Sequence, residues 1–163
     1  MNIILNIKKN SLFLAQLGII IFGLAVLVAM IRLPLTEGRA VSLNLFQIYT
    51  DPFILYGYAG SIPFFYALFK GFTLLGYIKN KTLFSVVAIS TINRIKYAAF
   101  LVCLMVVSAA LFIIIFHNKD DDPAGFIMLC LLTVFLTILV VMLATVFEKK
   151  IRKALATQNQ TTV

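Results

Sequence analysis

Tryptophan is absent from this chain, which has only 6 acidic residues, 2 cysteines and 1 histidine in 163 residues. Each shortage closes a route. A lone His117 cannot build a zinc site without partners from elsewhere. Cys103 and Cys130 open successive apolar runs that must be antiparallel. A rise of ~1.5 Å per residue puts them on the order of 10 Å apart in depth, beyond the ~7 Å that a disulfide tolerates. Both read as buried apolar residues and say nothing about redox compartment. Charged residues make up 12% of the chain, about half the usual share, too few to coat a soluble fold. There is no H-E-x-x-H, G-x-S-x-G, G-x-G-x-x-G or Walker loop. No catalytic residue, cofactor or metal site is therefore expected, and the chain does not read as an enzyme.

What remains is apolar. The chain is 62% hydrophobic, with a mean hydropathy of +1.04, and a soluble fold of this size could not hide so much from water. Four runs are long enough, at about 20 residues, to cross a hydrocarbon layer of ~30 Å: 12–31, 52–78, 97–116 and 125–147. The first follows Lys8 and Lys9 but is too long for a signal-peptide core, and no small-residue cleavage site follows it. In the second, Asp51–Pro52 reads as N-cap and first helical residue. Pro63 should kink it, and Gly57 and Ser61 offer a small-residue contact face. Between spans one and two, Val41, Leu43 and Leu45 alternate with polar residues. This is either a short extended segment or an amphipathic loop in the interface.

Between spans two and three, Val86, Ile89, Ile92 and Ile95 recur every three residues, with Ser90, Asn93, Arg94 and Lys96 on other faces. The pattern predicts a short amphipathic helix along the inner surface, capped by Ser85. A short link, 117–124, forces spans three and four into a hairpin. Asp120, Asp121 and Asp122 are adjacent, so they cannot all face one ion and read as a solvated, helix-capping loop. The fold class is thus an all-α membrane protein: four transmembrane helices in an antiparallel bundle, one domain over 1–163, with residues 148–163 a basic, partly disordered tail.

Lys and Arg number 14. Ten fall on the side of the N-terminus, the middle loop and the tail, three on the other, and Lys70 lies inside span two. This bias predicts both termini in the cytoplasm and an inner-membrane location. It also explains the net charge of +8 without direct nucleic acid binding. Lys70 is the one charge clearly within a span and can snorkel to the cytoplasmic interface. The aromatic-rich second span reads as packing. The middle amphipathic helix is either an interfacial anchor or a docking surface for a cytoplasmic protein or anionic lipid.

The stretch Phe72 to Ser85 (FTLLGYIKNKTLFS), followed by Ile92-Asn-Arg-Ile-Lys-Tyr97, resembles the bacterial domain-of-unknown-function family two-nine-seven-five, the YoaS-like small four-span membrane proteins. The acidic, Pro- and Gly-containing hairpin Asp120–Gly125 and the basic helical exit Glu148–Leu155 are similar too. The resemblance covers Pro52 to the C-terminus. It implies a protein without an established activity, of a kind often encoded beside a small helix-turn-helix regulator, and hence a regulatory membrane partner. The uncharged ending Gln158–Val163 departs from relatives with an acidic tail. Three functions are weighed. The first is a membrane sensor or anchor for a cytoplasmic helix-turn-helix regulator, the second an oligomeric transporter or channel component, the third a lipid-binding protein or intramembrane enzyme. Spans three and four offer few polar residues to line a path, which favours the first. The positions carrying it are Lys70, Asn80, Lys81, Phe84, Ser85, Arg94 and Lys96. The partners are the bilayer and such a regulator, with a homo-oligomer open.

Overall fold

A computed structural model describes residues 2–36, 45–80, 82–116 and 123–160. The described residues form α1 (Asn2–Thr36), the short α2 (Leu45–Tyr49), α3 (Pro52–Lys79), α4 (Val86–Phe116) and α5 (Ala124–Gln160). There is no strand among them. Four helices are long and apolar enough to cross a membrane: Ser11–Arg32 in α1, Pro52–Lys79, Val86–Phe116 and Ala124–Thr157 in α5. The fold is the expected antiparallel four-span arrangement. Each helix packs chiefly against the next, α1 on α3, α3 on α4 and α4 on α5.

The half-buried positions of α1, Leu12, Gln16, Ile19, Gly23, Val26, Met30 and Pro34, recur every three or four residues, the period of one helix face. That face meets α3 at Leu68, close to Gly23, and beside it Phe22 makes an edge-on ring contact with Phe64. Pro34 stands inside α1. Proline has no N–H, so the carbonyl four residues back, that of Met30, loses its helical donor. The Tyr58 hydroxyl of α3 donates to that carbonyl at 3.2 Å. Tyr49 of α2 donates to the neighbouring Ile31 carbonyl at 3.1 Å, and Ile48 is buried where α2 meets α1 and α3. Of the alternating segment, residues 41–44 lie outside the described residues, and Leu45 opens α2.

Asp51 caps α3 as expected, accepting from the Phe53 N–H at 2.8 Å with Pro52 at the first helical position. The helix runs through Pro63 to Lys79. The small-residue face falls elsewhere than expected. Gly57 has open space beside it, whereas Gly60 lies against Met105 of α4. Tyr56 also reaches α4, donating to the Met105 carbonyl at 3.1 Å. Phe53 packs on Phe112 of α4 and Phe126 of α5, joining three helices at the end opposite the basic residues.

The amphipathic stretch after span two is helical, but it does not lie apart along a surface. Residues 86–96 and span three form one helix of 31 residues. No glycine or proline interrupts Val86–Phe116, so propagation costs less than breaking and renucleating. Its apolar stripe has protein partners as well. Ile89, Ile92 and Ile95 are buried, while Val86, first in the stripe, is exposed. The tail, expected to be partly disordered, continues α5 as helix to Gln160. The two helices are therefore longer than a bilayer requires. At ~1.5 Å per residue, Val86–Lys96 extends about 16 Å, and Glu148–Gln160 about 20 Å, beyond the uncharged runs that suffice to span it.

Candidate functional site: the basic end of the α4–α5 pair

The extended ends of α4 and α5 pack on each other around Ile89, Ile92 and Ile151. Leu74 of α3, Leu83 of the α3–α4 link, and Ala144 and Leu155 of α5 close against them. Ile92 is 0% exposed and Ile151 1%. Ser85 shapes the entry to α4 as expected, its hydroxyl accepting from the Ala88 N–H at 3.2 Å. Asn80 ends α3, its backbone N–H donating to the Gly76 carbonyl at 3.0 Å. The Asn80 and Ser85 positions thus bound the link that brings α4 back beside α3.

Glu148, the first charged residue after the apolar run of α5, is only 8% exposed. Lys96 of α4 donates to its Oε2. Arg152, one turn on along α5, donates from Nε to Oε1 at 2.8 Å, with Nη2 equally close to the same oxygen. The Lys96 hydrogen bond, then that of Arg152, holds the Glu148 carboxyl below the ordinary carboxylate range against the opposing effect of burial. The carboxylate clamps two helices and orients both cations.

Beside this clamp lies an open groove of about 580 Å³, lined by Val86, Ile89, Ser90, Asn93, Arg94 and Tyr97 of α4 and by Arg152 and Leu155 of α5. Arg94 and Tyr97 are exposed. Arg94 makes no ion pair among the described residues.

Of the positions singled out in the sequence, Arg94 and Lys96 come together here, one on the groove and one in the clamp. Phe84 is exposed at the link. Lys81 lies outside the described residues, as do Glu37, Arg39, His117 and Asp120–Asp122. Lys70 stands apart. Its Nζ lies 5.3 Å from the ring centre of Tyr66 and 5.4 Å from that of Phe69. The side chain thus leans toward Tyr66, one turn back along α3, as helical side chains do. The residues that sequence reasoning passed over are Glu148 and Arg152, read only as tail charges. Their spacing of four on one helix was an available signal. The pairing of Glu148 with Lys96, 52 residues away, had none.

Comparison with known proteins agrees with this architecture. The chain is 27% identical over 156 residues to a protein described as "Uncharacterized membrane protein YoaS" from Bacillus subtilis (strain 168), covering 94% of this chain and 96% of that one. No solved structure matches. The family described as "Protein of unknown function (DUF2975)" matches residues 12–163, a longer stretch than the Pro52-to-C-terminus resemblance. This multi-pass membrane protein belongs to that family.

Proposed function

We propose that the chain is an inner-membrane anchor with both termini in the cytoplasm, and that its basic end is a docking platform for a cytoplasmic helix-turn-helix regulator. The supporting observation is the Lys96–Glu148–Arg152 clamp on the isoleucine cluster. Two helices continue past the length a bilayer needs and are locked together there. A bare membrane anchor needs no such module, whereas a platform for a soluble partner needs a fixed shape. The excess of Lys and Arg at that end supports its cytoplasmic orientation. The nature of the partner rests on the family resemblance, and the exposed Phe84 of the link is a position that a partner would meet. Transport has less support. The hydroxyls of Thr133, Thr137 and Thr145 each donate to a carbonyl of their own helix, and a hydroxyl so engaged offers little to a permeating ion.

Two measurements test this. A reporter active only in the cytoplasm, fused after Val163, is expected to work, and an export-dependent reporter at the same place to fail. A photo-crosslinking residue at position 84 in living cells is expected to trap a helix-turn-helix protein. An exported C-terminus would overturn the orientation. No such crosslink, with unchanged transcription in a deletion strain, would overturn the docking role.

A further inference from the structure

We infer that the groove between the basic ends of α4 and α5 binds the phosphate of an anionic phospholipid headgroup from the leaflet at that end. The inference rests on where the groove sits and what lines it, and does not depend on the regulator. Depth comes first. The uncharged run of α4 begins at Tyr97, so Arg94 stands about 4–5 Å beyond it, and Arg152 about 7–8 Å beyond Phe147 of α5. A headgroup layer is about 5–8 Å thick on each side of the hydrocarbon. Arg94, Asn93 and Arg152 therefore lie at headgroup level. Tyr97, 74% exposed, marks the boundary as interfacial tyrosines do.

The lining matches a phosphodiester in chemistry as well. Arg94 and Arg152 line the groove, and the only carboxylate in contact with either among the described residues, Glu148, is shared with Lys96. Glu148 uses Lys96 and one edge of Arg152, facing Nε and Nη2 of that guanidinium and leaving Nη1 for a second anion. Arg94 brings a whole guanidinium, a planar fork suited to phosphate oxygens. Asn93 adds a neutral donor at the same level, and Ser90 another farther from the membrane. A zwitterionic lipid carries the same phosphate but would bring its own cation against the two arginines, so the site discriminates by repulsion as well as attraction.

The full chain in detergent, offered phosphatidylglycerol or phosphatidylcholine at equal concentration and read by native mass spectrometry, tests this. Preferential retention of phosphatidylglycerol is expected, weakened about fivefold by Arg94→Gln. Lys150→Gln removes an exposed charge from the basic end of α5, outside the groove, and should leave retention unchanged. Arg94 is itself exposed, so an unaltered melting temperature in the variant separates lost binding from lost fold. Equal retention of the two lipids, or equal loss in both variants, would overturn the site. Displacement of the lipid by soluble glycerol 3-phosphate at comparable concentration would overturn the lipid as its occupant.

Discussion

The basic end of α4–α5 and the long face of α1 are both helix packed on helix, yet they are held in different ways. At the basic end, Ile92 and Ile151 are sealed from solvent and a buried carboxylate is satisfied from two sides. Along α1, no residue with a described side chain is buried. Its attachments are ring edges, a glycine and two tyrosine hydroxyls given to backbone carbonyls. The solvent explains the difference. Lipid chains are as apolar as leucine, so packing two apolar faces inside a bilayer gains no hydrophobic free energy. Where the helices leave the bilayer, that driving force returns, and the chain places its densest apolar cluster there.

This contrast can be broken by substitution. The largest loss is expected for Ile92→Ala, about 3 kcal/mol, because a sealed cavity forms in a region facing water. Reversible unfolding in detergent would measure it. Glu148→Ala should follow at about 2 kcal/mol. This is less than a fully buried pair costs, because Lys96 and Arg152 can both turn toward water once released. A double-mutant cycle with Lys96→Met would isolate the pair. The same carboxyl sets a pH dependence. Its folded pKa is lowered, so its stabilisation is complete above the ordinary carboxylate range and fades as the pH falls through the lowered value. Melting curves of wild type and Glu148→Gln should differ near neutrality and converge in acid. Tyr58→Phe should cost about 1 kcal/mol, since it leaves the Met30 carbonyl, already deprived by Pro34, without a donor. The smallest effect, under about 0.5 kcal/mol, is expected for Leu27→Ala on the lipid side of α1. Equal losses for Ile92→Ala and Leu27→Ala would remove the basis of the comparison.

The spans were legible because a bilayer asks little more than length and apolarity, and 12–31 or 125–147 meets both. The caps at Asp51 and Ser85 were legible because capping is local chemistry, complete within three residues. What escaped was long-range. The isoleucine stripe of residues 89–95 predicts, taken alone, a helix lying along the inner surface, because nothing in its own sequence records that Ile151 arrives from α5. Glu148 looked like one more tail charge for the same reason. The break expected between residues 96 and 97 reflects a change in polarity, which marks where the solvent changes and not where the helix ends. The groove was half visible. Arg94 was singled out from its own helix, whereas Arg152 acquires meaning only beside it.

Within α5 the only glycine is Gly125, at the start, and no proline follows it up to Gln160. The piece inside the bilayer and the piece outside are therefore one rod without a joint. A tilt imposed by the surrounding lipid on its apolar half would be carried toward its last basic turn, and the Glu148 clamp would couple it to α4. Changes in membrane thickness or tension would thus be delivered to the water-facing surface as a rigid displacement of two helices together.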